Sequence, residues 1–207
     1  MATHSSNSYL SLSKMKDNAS YIYSYFSGIG WSDNAICAML GNMQRESTIN
    51  PGLWQNMDEG NTSLGLGLVQ WTPASKLISW CDTWGHDYLS IEAQCMRIYY
   101  ELENGEQYFP TDNYPETFEE FTQSEKSLSY LTTAFLKNYE RAGVEALDER
   151  IENAEYWYDY LVLEGGGGSG GSDPDEPDDP ITPDTPVNLY KKKKHYKLHL
   201  FKKRRIF

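Results

Sequence analysis

The sequence predicts an α+β domain that is mainly α, with a small β element placed early, followed by a linker and a short basic tail. Three observations carry that prediction. Apolar residues recur at helical spacing through the first 164 residues, all six Trp of the 207-residue chain lie there, and a Gly/Ser block begins at Gly165. Charge divides at the same point. Residues 1–164 hold 9 Lys and Arg against 24 Asp and Glu, a balance of −15, whereas residues 165–207 hold 9 against 6, a balance of +3. The expected organisation is a folded domain over 1–164, a linker over 165–186 and a basic, aromatic tail over 187–207.

The first helix is expected to run from a cap at Ser13 to about Gly28, with Tyr21, Ile22, Tyr25 and Phe26 on one side. Ser32 caps a second helix, which opens with Asp33 and carries Ala35, Ile36, Met39, Leu40 and Met43 as an apolar stripe. The segment Asn50–Trp71 is rich in turn residues, and Gly60, Gly65 and Gly67 suit bends between short strands, hence the expected β element. Thr72-Pro73 reads as the cap and first residue of a third helix. Further helices are expected at Ile91–Asn104, Leu128–Tyr139 and Glu149–Leu163. The linker begins as Gly and Ser and continues with Pro at 174, 177, 180, 183 and 186, a composition that predicts extended, disordered chain.

Composition excludes several classes of function. No apolar run approaches the roughly 18 residues of a membrane span, and the first residues show no secretory signal. The three cysteines, Cys37, Cys81 and Cys95, lack Cys-x-x-Cys spacing and read as buried thiols rather than as disulfides or zinc ligands. With four His, two of them in the tail, no metal and no cofactor is implied. Gly65-Leu66-Gly67 lacks the further Gly and the Lys of a phosphate loop. A Cys37/His86 protease is disfavoured because Cys37 falls inside a helix on apolar surroundings.

One carboxylate is placed for chemistry. Glu46 lies three residues after Met43 and seven after Met39, on the buried stripe and at the C-terminal end of its helix, just before Asn50-Pro51-Gly52. Desolvation and the helix dipole both disfavour its charged form there, as a general acid requires. A helix-end brace is the structural alternative.

The run Ala38-Met39-Leu40-Gly41-Asn42-Met43-Gln44-Arg45-Glu46-Ser47-Thr48-Ile49-Asn50-Pro51 resembles the catalytic stretch of the phage tail lysozyme family. Gly52-Leu53-Trp54-Gln55-Asn56, Gly67-Leu68-Val69-Gln70-Trp71-Thr72-Pro73, Asn138-Tyr139-Glu140-Arg141 and Tyr156-Trp157-Tyr158 come after it in the family's order. The match covers roughly residues 13–164. More distantly, Glu-Ser followed by Gly-x-Gly-Leu-Val-Gln is similar to goose-type lysozymes and lytic transglycosylases.

The resemblance implies a lysozyme-like fold, its β element near the cleft, that cleaves the β-1,4 bond between N-acetylmuramic acid and N-acetylglucosamine in peptidoglycan glycan strands. Glu46 matches the catalytic acid. The second carboxylate is sought at Asp58 or Glu59, in the loop expected to face Glu46, as water-aligning base or as nucleophile. Lytic transglycosylation stays open. Trp54, Trp71 and Gln70 are the expected sugar-binding wall, since aromatic faces stack on pyranose rings and amides bond acetamido groups; Tyr139 joins them through the Tyr-Glu-Arg match. Glu140 and Arg141 read as a structural pair.

The implied setting is the virion tail tip of a phage of Gram-positive bacteria, assembled in the host cytoplasm with other tail proteins and acting on the wall during genome delivery. A late-acting endolysin and a non-catalytic glycan-binding tail protein are the alternatives, and an intact Glu46 favours an enzyme. The tail, Tyr190–Phe207, interleaves Lys and Arg with aromatics. It reads either as an anchor for a polyanion, whether nucleic acid, anionic lipid or anionic wall polymers, or as an assembly strand.

Overall fold

Seven α-helices result when this pattern folds, in a computed structural model that describes residues 2–166. The expected linker beyond Gly166 and the basic tail lie outside the described residues. The helices are α1 (Leu12–Gly28), α2 (Asp33–Ser47), α3 (Ser75–Trp84), α4 (Ile91–Asn104), α5 (Phe118–Thr122), α6 (Leu128–Phe135) and α7 (Leu147–Tyr158). None among the described residues is long and apolar enough to cross a membrane.

The centre of the fold is α2, buried without interruption from Ala35 to Gln44. A helix apolar on nearly all sides must be covered on all sides. Here α7 supplies the most extensive cover, followed by α6 and α1, with α5 at its start. Its cap is as the sequence predicts: Ser32 Oγ accepts from the Ala35 N–H at 3.1 Å and donates to the Ser124 carbonyl at 2.7 Å. Because that hydroxyl both caps α2 and ties it to the chain after α5, Ser32→Ala should cost about 1–2 kcal/mol. At roughly 2–4 °C per kcal/mol for a domain of this size, the melting midpoint should fall by roughly 2–8 °C. An unchanged midpoint would show that neither bond contributes.

Below α2 lies an aromatic core. Tyr108 stacks on Phe118 with ring centroids 4.8 Å apart, and Phe135 stacks on Tyr139 at 4.5 Å. Phe121 sits between them, 5.6 Å from both Tyr108 and Phe135. Burial of each such side chain contributes roughly 1.5–3 kcal/mol. Cys37, Cys81 and Cys95 are free and buried, and burial pushes all three thiols up, Cys81 to about 11.

Several boundaries differ from the sequence expectation. Ser11, not Ser13, caps α1, because Leu12 is fully buried and already helical. Thr72 does not cap α3: its hydroxyl donates to the Gln70 carbonyl at 2.9 Å, the Thr72–Pro73 peptide is cis, and the helix starts at Ser75. The short α5 was not expected, although its Thr117/Glu120 capping box has a readable pattern. The helix expected over Leu128–Tyr139 changes at Leu136 into a wider π-turn that ends at Glu140.

The expected small β element is not a sheet. No strand occurs among the described residues, and the segment holds only the isolated antiparallel bridges Trp54–Leu66 and Leu66–Trp71. The cause is local. Asn56 (φ 58°), Met57 (57°), Gly67 (84°) and Gln70 (49°) all take left-handed backbone, which reverses the chain before a ladder can extend.

Candidate active site

The C-terminal end of α2 is fixed by the chain immediately beyond it. Thr48 and Ile49 both take left-handed φ (57° and 53°), a strained choice for β-branched residues that persists only where surroundings enforce it. Those surroundings are on hand. The Thr48 N–H reaches the Gln44 carbonyl at 2.9 Å, the Ser47 hydroxyl donates to the Leu68 carbonyl at 3.0 Å, and the Leu10 N–H donates to Thr48 Oγ1 at 3.0 Å. Asn50 is fully buried and stitches in the N-terminal strap, donating to the carbonyls of Ser6 and Ser8, each at 2.7 Å. Asn7 then braces the next turn, accepting from the Trp54 N–H at 3.2 Å and donating to the Met57 carbonyl at 3.0 Å. Glu46 therefore projects from a rigid helix end.

It projects into a cleft of about 600 Å³. The cleft is lined by the turn Leu53–Met57 with Val69 and Gln70, and by the segment Glu140–Val144 with Arg150 of α7. Glu46 is half-buried, with 18% of its side chain exposed, and its Oε1 accepts from the Arg150 guanidinium at 2.6 Å. Arg150 is almost wholly buried and also donates to Asn42 Oδ1 at 3.1 Å and to the Glu145 carbonyl at 2.8 Å. Its place results from the same close approach that joins the helices: at Gly41 any Cβ would stand 2.5 Å from the Arg150 carbonyl oxygen and 2.7 Å from the Ala154 nitrogen.

Burial opposes the charged form of a second carboxyl in the cleft, Glu140. It lines the same cleft at the end of the π-turn, and its Oε1 is buried with no hydrogen-bond partner among the described residues. Loss of hydration pushes its carboxyl well above the usual range, and the nearby Glu46 charge adds to that, while Arg150 pulls the other way. The pairing expected between Glu140 and Arg141 is not found. Arg141 donates instead to the carbonyls of Gln107 and Asn138, at 2.6 and 2.7 Å, and its guanidinium lies 5.1 Å from the Phe109 ring.

The residues expected from sequence are only partly brought together. Glu46, Trp54 and Gln70 line the cleft. Gln70 spends its amide nitrogen on the wall itself, donating to the Leu53 and Gly67 carbonyls at 2.9 and 3.0 Å. Trp71 and Tyr139 do not reach the cleft. Both are buried behind it on Glu101, which accepts from Trp71 Nε1 at 2.8 Å and from the Tyr139 hydroxyl. Asp58 and Glu59 are exposed in the turn after Met57 and do not line the cleft; Asp58 accepts from the Asn61 amide at 2.8 Å, closing that turn.

Arg150 and the position of Glu140 escape the sequence reading, yet one signal was present. Arg150, Asn153, Ala154 and Trp157 are the buried positions of α7, at spacings of three, four and seven. A cation on a helix's buried stripe needs a buried anion, and Glu46 occupies the corresponding stripe of α2.

The fold and the cleft can be set beside known proteins. A family model described as phage tail lysozyme matches residues 17–161. The chain is also 51% identical, over 165 residues, to Morphogenesis protein 1 of Bacillus phage B103; the alignment takes in 80% of this chain and 45% of that protein. The chain thus spans a little under half the length of that curated relative.

Proposed function

The chain belongs to the phage tail lysozyme family, and from that premise we propose that it cleaves the β-1,4 bond between N-acetylmuramic acid and N-acetylglucosamine in peptidoglycan. The observation that carries this reading is Glu46, held at a rigid helix end on the wall of a cleft lined by Trp54 and Gln70. In its acid form Glu46 gives a proton to the glycosidic oxygen as the bond to the anomeric carbon breaks, so that the leaving sugar departs as an alcohol rather than as an alkoxide. Arg150 sets the orientation of that carboxyl. Trp54, buried but lining the cleft, backs the wall against which a sugar would rest.

The setting we propose is a virion tail, from which the domain opens the wall of a Gram-positive host locally while the genome is delivered. Domain membership supports it, as does the identity to a morphogenesis protein of a Bacillus phage. In that setting the partners are glycan strands and other tail proteins. Residues 187–207, with nine Lys and Arg and no Asp or Glu, serve as a holdfast on anionic polymers of the wall.

Products test the chemistry. Digestion of purified walls should release new reducing ends at muramic acid, with water as the acceptor. Exclusive release of 1,6-anhydromuramic acid would replace hydrolysis by transglycosylation, and no release at all would defeat the glycosidase reading.

A second expected outcome concerns the exposed turn. Because Asp58 and Glu59 stand off the cleft, the double variant Asp58→Asn/Glu59→Gln should clear walls within about twofold of the wild-type rate, as surface changes usually do. A loss of a hundredfold would return one of them to the chemistry.

A further inference from the structure

We propose that Glu140 is the second carboxyl of this cleft, and that Glu46 and Glu140 hold a single proton between them, with Glu140 as the positioning residue that governs when Glu46 carries it. The inference rests on the glycosidase reading only for its consequence in catalysis. The pair itself stands on two observations: both carboxyls line one cleft, and Glu140 Oε1 is buried there without a partner among the described residues.

Four charged or titratable groups face Glu140, each from a different part of the fold. Glu46 approaches from α2, Arg150 from α7, Glu101 from α4, and Arg141 comes directly after Glu140 in the chain. Two are acids and two are cations, so the balance turns on where the cations are committed. Arg150 spends its donors on Glu46, on Asn42 and on the Glu145 carbonyl. Arg141 spends one nitrogen on the carbonyls of Gln107 and Asn138. None of these donors reaches Glu140 Oε1, which is buried and without a hydrogen-bond partner among the described residues.

A carboxylate oxygen buried without a donor is expensive, whereas the neutral acid brings no charge to that place and needs one acceptor for its O–H. With Glu46 paired to Arg150, the unit of Glu46, Glu140 and Arg150 is neutral as a whole when exactly one of its carboxyls is protonated. Removing that proton would put two like charges into one cleft against a single committed cation. Interacting carboxyls of this kind lose their protons in steps that belong to the pair.

Coupling of this kind is reciprocal, and that makes it measurable. In full-length protein carrying carbon-13 at the Glu side-chain carboxyls, NMR titration should show a carboxyl carbon that titrates well above the ordinary Glu range and disappears in Glu140→Gln. The same carbon should move back towards the ordinary range in Glu46→Gln, where the like charge is gone. On solubilised glycan strands, Glu140→Gln should shift the pH profile of kcat and lower its maximum by about tenfold or more, with thermal unfolding showing that the fold is kept. A brace without a role in proton balance would leave the shape of that profile unchanged.

The pair is overturned if every carboxyl that disappears in Glu140→Gln titrates in the ordinary range, or if Glu46→Gln leaves the high-titrating carbon where it was. Should Glu140→Gln not fold, the Glu46→Gln titration still decides, because it leaves Glu140 in place. An intact titration pattern in a wild-type protein that cleaves no wall would overturn the glycosidase reading and leave the pair standing.

Discussion

Glu46→Gln should reduce the clearing of purified Gram-positive walls by at least about a hundredfold, the low end of what a positioned general acid contributes. The change is nearly isosteric and removes the acidic proton that the reaction needs, together with the charge that faces Arg150. An amide oxygen can still accept from Arg150, which in addition keeps its bonds to Asn42 and to the Glu145 carbonyl. The helix end is held by Ser47, Thr48 and Asn50 rather than by Glu46 itself. Some stability should go, because a buried guanidinium loses its counter-charge, but the fold should survive. Turbidity of wall suspensions, read beside thermal unfolding of both proteins, separates the two effects. Equal clearing by the variant and the wild type would remove Glu46 from the chemistry.

The largest effect on stability is expected at Gly41. Two contributions oppose each other there. Replacing a Gly inside a helix by Ala is worth about 1 kcal/mol in backbone propensity. Against this, the new Cβ would lie 2.5 Å from the Arg150 carbonyl oxygen, 2.7 Å from the Ala154 nitrogen and 2.8 Å from Ala154 Cβ. The first two are backbone atoms of α7, so relief requires the whole helix to move. Overpacking of this kind costs about 1–3 kcal/mol and sometimes more. Contacts this short to backbone atoms put the cost near the upper end, about 3 kcal/mol, so the net loss for Ala should be about 2 kcal/mol, and for Val, which adds branching at the crossing, clearly larger. By the usual scaling the Ala variant should melt roughly 4–8 °C lower. Activity should fall as well, since the displaced helix carries Arg150 away from Glu46. An Ala variant that melts with the wild type would mean that the helices cross less closely than described.

How far the sequence could be read depends on the kind of feature. Helices with a clear apolar period were legible: α2 begins where its Ser32 cap places it, and α4 spans the expected Ile91–Asn104. Glu46 was legible as a carboxylate on a buried stripe. Hidden from such reading is which of two similar residues a neighbour will claim. Trp54 and Trp71 look alike as candidates for a sugar-binding wall, and both are buried; Trp54 lines the cleft, while Glu101 in the last turn of α4 holds the Trp71 indole, and Tyr139 with it, away from the cleft. Proximity in sequence likewise favoured Asp58 and Glu59 as partners of Glu46. In the structure Glu46 pairs with Arg150, 104 residues away, and Glu140 lines the same cleft. A site assembled by helix crossing leaves little trace in local spacing. The β element failed for a related reason, since turn residues announce reversals but not whether enough extended chain lies between them to pair.

The crossing of α2 and α7 also sets a timetable. During synthesis, at about 5–20 residues per second, Glu46 leaves the ribosome roughly 5–20 seconds before Arg150 does. Through that interval the Gly41 face of α2 waits without its principal cover, and the carboxylate waits without its cation. The nascent chain can therefore form helices early but cannot finish the cleft until α7 arrives. Competence and completion of the domain coincide: a ribosome stalled before residue 150 leaves a product with no assembled site, and any chaperone that protects this chain must hold α2 until its last partner has been made.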